Sequence, residues 1–589
     1  MSGVWDAAGP EPRVADRLRA RLSVRTRARD VPGFRSVPEP VFLGHPLRGR
    51  ALVEGHLRLG GQEAELPDAT APWGADLAPE MQAELHRFAW LDDLAALGGR
   101  RAWSVARGWT VDWIARFGQG GGPGWTAART GRRLMAWIDH AAIIEAGPEA
   151  RGVDAAFRAS LGAQARFLAR RWRVAPPGPA RVDALTGLLR AGLALADADL
   201  PVDAAAAALA HEAEAAIDAQ GGLPSRNPER LMQLHERLSW AAEALREGGH
   251  RVPAALANAA ARAAPVLRAL RHADGSLARM QGGGAGVEGR LDAALVRSGG
   301  TGAPERVAMG FARLSEGRLT VIADAAPPPR GFAGRGAHAS TLALEVMAGR
   351  EPLVVSCGTG APFGADWCRA GRATASHSVL DLDGAPSSRI AAPEQRHGEM
   401  VELLDRAPRE VTRALGTRRG TDEDDPGALV LDLSHDGWRP SHGLIYRRRI
   451  ALSRDGREVT GEEALAAETD RDMDALIRAI ARRGEEGLDF AVRFHLHPDA
   501  DVVMDPGGDA ATVALPSGAL WMLHHDGAVR LGIEASVFFD PARPHPLASR
   551  QIVLSGRIEE AATRLRWSLA RAETRLGAIG DLEWPRESV

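Results

Sequence analysis

Residues 336 to 384 read GAHASTLALEVMAGREPLVVSCGTGAPFGADWCRAGRATASHSVLDLDG, and this stretch decides the fold of the C-terminal half. Leu342, Leu344 and Val346 alternate with smaller or polar residues, Gly349 ends that run, and Leu353 to Cys357 forms a second apolar segment closed by Gly358. Alternation at period 2 broken by glycine is the pattern of antiparallel strands joined by turns. His338 and His377 fall at strand entries, where loops carried by a rigid sheet present working side chains.

Working outward, Asp383-Gly384, Asp455-Gly456 and Asp526-Gly527 read as hairpin turns, because type I′ turns need positive φ at both central positions. Between about residues 80 and 280 the period changes. Leu134, Trp137, Ile138 and Ala141 follow helical spacing, as do Leu185, Leu188, Leu189 and Gly192, and Leu231, Leu234, Leu238 and Ala242. Breakers separate these helices at Gly118 to Gly124, Pro176 to Pro179, Gly221-Gly222 and Gly248-Gly249, which predicts antiparallel helix pairs with short links. No fixed-period repeat supports an ordinary solenoid.

The hairpin stretch, with upstream GFARLSEGRLTVIADAAPPP and downstream HDGWRPSHGLIYRRRIALSRDGREVTGEEAL, resembles the heparinase II/III family of polysaccharide lyases, most strongly over residues 307 to 461. LHRFAWLDDL and GRRLMAWIDHA look like that family's toroid helices. The resemblance implies an α+β multidomain chain: an N-terminal strap over residues 1–75, an α/α-toroid over 76–294 and a large antiparallel β-sandwich over 295–589. It also implies an acidic polysaccharide or oligosaccharide as partner, held in the cleft between the domains and cleaved by β-elimination.

Composition sets limits on this picture. A chain of 589 residues, 45% hydrophobic, is long enough for two or three cores. A formal charge of -3 and a pI near 6.7 give no global reason to expect nucleic acid or an anionic membrane as partner. All 73 basic residues are arginine, so a phosphate-loop lysine, a Schiff-base lysine and a lysine general base are excluded. Cys357 and Cys368 are the sole cysteines; they supply no disulfide framework and leave a single bridge open. The N-terminus lacks the apolar core of a signal peptide, and no run of about 18 apolar residues predicts an integral membrane segment. The expected compartment is therefore the cytoplasm, while the resemblance implies the periplasm or cell envelope as the alternative.

Elimination beside a uronate carboxylate needs a neutraliser for that carboxylate, a base and an acid. In the resembled family an Asn or Asn-His pair and a Tyr come from the toroid and a His from the sandwich. Here Pro179 and Ala180 stand at the first place, Arg230 where Tyr is expected in GGLPSRNPERL, and Gly336 at the catalytic sandwich position. Tyr446, the single tyrosine, lies in a predicted sandwich strand. The surviving catalytic pair is Arg372, to hold the carboxylate, and His377, to move the proton. Arg226, Asn227 and Trp367 are the substrate-binding candidates, although Asn227 and Pro228 also read as the start of a helix.

Metal-containing relatives hold a structural zinc with residues matching His338 and His377, and Cys357 stands beside the place of their acidic ligand. The resemblance thus implies a zinc site of His338, Cys357 and His377, a donor set that zinc accepts. His495 and His497 share a strand face and read as a polar network, and Gly284, Gly286 and Gly289 match G-x-G-x-x-G without the preceding strand that dinucleotide binding requires. The leading expectation is a saccharide-binding protein that eliminates through the cleft. The alternatives are a binding or scaffold protein without the proton-transfer groups, and hydrolysis through carboxylates such as Glu345 or Asp366.

Overall fold

The computed structural model describes residues 14–25, 33–36, 39–146, 153–196, 198–284, 286–299, 304–382, 384–396, 399–420, 427–483, 487–527 and 529–572. Helices dominate as far as Arg290–Arg297, and strands dominate from Val307–Ala308 onward. In the helical part Ala127–Asp139 and Pro179–Ala194 run in the same direction, with Gly131 against Asp183 near their starts and Asp139 against Arg190 near their ends. Ala127–Asp139 packs along Pro179–Ala194 so closely that a Cβ on Gly131 would stand 2.1 Å from the Asp183 carbonyl oxygen, and one on Gly187 2.2 Å from that of Gly131. Two glycines facing each other are what let these backbones touch. Trp113, Trp137, Phe88 and Phe157 fill the adjoining core with edge-on and tilted contacts, and the Arg133 guanidinium lies 4.1 Å over the Trp113 ring.

The N-terminal segment is helix, short helix and hairpin. Val14–Arg25 is tied to Val153–Arg171 through Arg171 and Asp16 at 2.6 Å. Pro46–Val53 leads into the hairpin His56–Leu59 and Gln62–Glu65.

Among the described residues the sandwich has an eight-stranded and a nine-stranded sheet, with antiparallel pairing throughout. In the first, Ala428–Trp438 and Glu458–Ala466 alternate buried and half-buried residues, as a sheet with one covered face requires. In the second, Leu319–Asp324 and Leu344–Ala348 are buried at every position. The alternation read from Leu342 to Val346 therefore reports no solvent face, and Leu342 itself sits before the strand at φ +65°.

Asp455-Gly456 closes the expected hairpin between Leu444–Ser453 and Glu458–Ala466, but only Gly456 has positive φ, at +68°, and its N–H bonds the Ser453 carbonyl, so the turn is not type I′. Asp526-Gly527 does not. It carries the chain from Leu520–His525 in the eight-stranded sheet to Arg530–Phe538 in the nine-stranded one. Asp383 lies outside the described residues, so the third turn is not described. Cys357 and Cys368 are both free thiols, so the open bridge is not formed.

Between the sheets lies a buried polar knot. Tyr446 donates to Glu463 at 2.5 Å, Trp567 donates to the other Glu463 oxygen at 2.8 Å, and Arg448 pairs with it at 3.1 Å while capping the Leu342 and Ser378 carbonyls. A buried carboxylate is tolerated only with such partners. This use of Tyr446 pushes its phenol well above its ordinary pKa, chiefly through burial.

Candidate functional site

Helices and sandwich meet through a second polar network. The Arg226 guanidinium donates to the carbonyls of Met309, Gly310, Ala326 and Pro327 and to Asp324 at 2.5 Å. Asp324 also accepts from Ser340 and Gln281, and Gln281 bonds both backbone groups of His338. Glu345 accepts from His272 at 2.8 Å and from the Arg279 backbone, and Arg279 reaches the carbonyls of Ser356, Cys357 and Phe539. Arg226, held at φ +53°, thus spends its whole fork on the junction, and its sequence-based reading as a substrate contact gives way to a structural one.

Beside this junction opens a cavity of about 1490 Å³. Arg87, Arg129, Arg132, Asp183, Arg230 and Arg237 border it from the helices, Gly336, His338 and Arg372 from the sandwich, and the hairpin His56–Glu65 from the N-terminal segment. The hairpin spans to the sandwich: Arg58 donates to the carbonyls of Pro541 and Pro544 and lies 4.9 Å over Phe363.

Among the described residues eleven arginines and eight carboxylates border the cavity, so its wall has a cationic excess that is largely neutralised. Asp183 takes Arg87 and Arg237, Asp92 takes Arg132, and Glu236 takes Arg290. Arg132 keeps a buried Nη1 with no hydrogen-bond partner. Arg230 enters from the first turn of Pro228–Glu247, where Pro228 starts the helix and Asn227 Oδ1 accepts from the Arg230 backbone at 3.0 Å. Burial pushes the Arg230 guanidinium down to about 10, still charged at neutral pH.

Pro179, Ala180, Arg230 and Gly336, the positions that the resemblance singled out, all border this one cavity. Asn227 borders it too, as a helix cap whose Nδ2 packs on Gly282. Trp367 does not: it is 41% exposed and stands edge-on to Phe539.

The expected pair of Arg372 and His377 is separated by burial. Arg372 reaches the cavity, but its fork is taken by the carbonyls of Ala337 and Glu402 and by the Glu402 carboxylate at 3.1 Å. His377 is fully buried behind His338, with His338 Nδ1 and His377 Nε2 3.3 Å apart. Desolvation holds the His377 imidazole down to about 3 and, with the charges of Arg372 and Arg230 added, His338 well below its usual value. Both rings are neutral at pH 7, so one donates the shared hydrogen bond and the other accepts it.

The zinc set does not come together either. Cys357 Sγ faces His495 Nδ1 at 3.6 Å and Ser536 Oγ at 3.9 Å, and burial raises its pKa, which keeps it a thiol. Among the described residues no three His, Cys, Asp or Glu side chains converge as a metal-binding group. Two imidazoles hydrogen-bonded to each other therefore lack the further donors that a structural zinc needs. His495 belongs to a polar network with Ser536 and the Ala375 carbonyl, and His497 stands edge-on to Phe538. Glu345 is 1% exposed and already bonded, and Asp366 is exposed in the first turn of Ala365–Arg372, so no carboxylate pair forms there for hydrolysis.

Sequence reasoning missed Arg132 and Arg237 in the cavity wall. The signal was present in GRRLMAWID, because an arginine within a helix otherwise fit for the core must either pair internally or point at a cavity. Arg133 does the first, bonding Gln164 and the carbonyls of His86 and Gly124, while Arg132 does both.

Comparison with known proteins agrees with this architecture. The family described as "Heparinase II/III-like, C-terminal" matches residues 299–568. A protein of Caulobacter vibrioides named FtsZ-localized protein C is 32% identical over 548 residues, covering 91% of this chain and 89% of that protein. Among solved structures, one described as heparinase III superposes with a TM-score of 0.62 at 12% identity, over 94% of this chain and 88% of that one. A heparan sulfate lyase HepC mutant from Pedobacter heparinus superposes at 0.54 with 14% identity, over 95% and 88%. At such identities the two structures speak for the fold: a helical toroid joined to an antiparallel sandwich.

Proposed function

The chain belongs to the heparinase II/III-like family, and from that premise we propose that its interdomain cleft binds an anionic saccharide without cleaving it by β-elimination. The observation that carries the proposal is the identity of the cavity-lining residues Pro179, Ala180, Arg230 and Gly336 at the places of the family's proton-transfer set. Proline, alanine and glycine have no side-chain proton to move, and an arginine stays charged at any working pH. Arg230 at the head of its helix, with the unpartnered Nη1 of Arg132 beside it, supplies what binding needs instead, guanidinium hydrogens for carboxylate or sulfate oxygens. His338 reaches the same space but is held neutral and tied to His377, which leaves it a hydrogen-bonding wall group.

The test is a panel of uronate polymers and oligosaccharides. Elimination creates an unsaturated uronate that absorbs in the near ultraviolet, so turnover and binding are read on the same samples. The reading expects saturable binding, weakened about tenfold or more by Arg230→Gln, with no gain of absorbance. Absorbance that grows with enzyme concentration refutes it, and so does an Arg230→Gln variant that binds as the wild type does.

A second reading is favoured by the end-to-end similarity to a protein named for FtsZ: this chain also localises with FtsZ, as a scaffold. Its test is co-sedimentation with FtsZ filaments. A fluorescent fusion reads the compartment, for which the cytoplasmic expectation stands as part of the same proposal.

A further inference from the structure

A second cavity, of about 640 Å³, lies where the helix Ala254–Leu270 ends against the strand Phe311–Glu316, and it shares no lining residue with the cleft. Arg268, Arg271, His272, Asp292, Val296 and Arg313 border it, three guanidinium groups against one carboxylate. We propose that this cavity is a phosphate-binding site.

Arg313 borders the cavity from the strand Phe311–Glu316. Its Nη1 donates to the carbonyls of Ala269 and Arg271 and its Nε to Ser315, and among the described residues no carboxylate pairs with it. Burial and the neighbouring charge of Arg271 push it down to about 10. A guanidinium desolvated beside another guanidinium is an electrostatic cost that a bound anion removes. Arg271 pairs through its Nη2 with the exposed Asp292 at 2.8 Å, and its Nε is buried without a partner.

The second, independent observation is His272. It is 3% exposed, its Nε2 donates to Glu345 at 2.8 Å, and its Nδ1 is buried with no partner. Glu345, an acceptor, holds a hydrogen on Nε2 and leaves Nδ1 as the ring's unused polar atom. An unused imidazole nitrogen beside the unpartnered Arg271 Nε asks for a ligand with negative oxygens, and one that also carries an O–H satisfies the nitrogen whether it donates or accepts. Inorganic phosphate and phosphate monoesters with a protonated oxygen have both near neutrality, whereas sulfate has no proton to give. Val296, 79% exposed, places an apolar group at the rim, where the organic part of a phosphate ester would lie.

The experiment is calorimetric titration of the full chain with inorganic phosphate and with sulfate at pH 7 in low salt. The expected result is saturable phosphate binding with a Kd below about 1 mM, at least about tenfold weaker in Arg271→Gln, and sulfate weaker than phosphate by about tenfold. Arg271 is half-buried and its carboxylate partner is the exposed Asp292, so Arg271→Gln is expected to keep the fold, which unfolding curves check; His272→Gln, which keeps a donor toward Glu345, gives a second reading of the same site. The cleft variant Arg230→Gln binds phosphate here as the wild type does. Absence of saturable phosphate binding up to about 10 mM, equal affinity for sulfate, or binding unchanged in both Arg271→Gln and His272→Gln overturns the proposal.

Discussion

His377→Gln separates a buried imidazole from a catalytic one through its effect on pH dependence. In the folded chain burial holds His377 near 3, against an ordinary value of 6.5. Protonation therefore favours the unfolded chain. The stability contributed by keeping this ring neutral is fully present above pH 6.5 and is lost as pH falls from there toward 3. Each pH step of one is worth about 1.4 kcal/mol, so between 6.5 and 5 this single residue removes about 2 kcal/mol. His86, also held near 3, and His435 and His495, near 4, act in the same direction, so the wild type is expected to be acid-sensitive as a whole.

Glutamine does not titrate. At pH 7 the variant loses its hydrogen bond with His338 and is less stable by about 1 kcal/mol. By pH 5 its loss relative to pH 7 is about 2 kcal/mol smaller than that of the wild type, so the two stability curves cross. Urea unfolding followed by tryptophan fluorescence at pH 7, 6 and 5 gives both intercept and slope. Parallel curves would mean that His377 titrates alike in the folded and unfolded chains, and the account of a sealed imidazole pair would fail.

Two further outcomes follow from single contacts. Arg226→Ala leaves Asp324 buried and strips four backbone carbonyls of their donor, so urea unfolding is expected to show a loss of about 3–5 kcal/mol, with no rescue by Arg226→Lys because an ammonium cannot span the fork. A loss below about 1 kcal/mol contradicts the junction role. Gly187→Ala places a methyl 2.2 Å from the Gly131 carbonyl oxygen and must push two helices apart; the expected cost in the same assay is about 1–3 kcal/mol, and a variant as stable as the wild type shows that the helices do not pack so closely.

Local pattern carried much of the fold. Leu185, Leu188 and Leu189 are buried on one helix as their spacing required, and the Asp455-Gly456 turn closes its hairpin, because both depend on neighbours within a few residues. Asp526-Gly527 has the same two letters and joins different sheets, since a turn dipeptide permits a reversal without choosing the strand that follows. The cleft was legible in outline through Arg230 and Gly336, whereas Arg132 became a wall residue only when its helix packed against Pro179–Ala194.

The sequence by itself determined the order of helices and strands, the absence of lysine chemistry, and the presence at positions 179, 180 and 336 of Pro179, Ala180 and Gly336, none of which has a side-chain proton to move. Tertiary structure alone decided that His338 meets the cleft while His377 does not, that Arg226 and Arg372 are already engaged, and that Cys357 turns toward His495. The reason is physical. Periodicity and turn chemistry act over a handful of residues, but whether an imidazole or guanidinium is solvated, paired or sealed depends on segments from about 30 to more than a hundred residues away, and that desolvation sets its charge and its role.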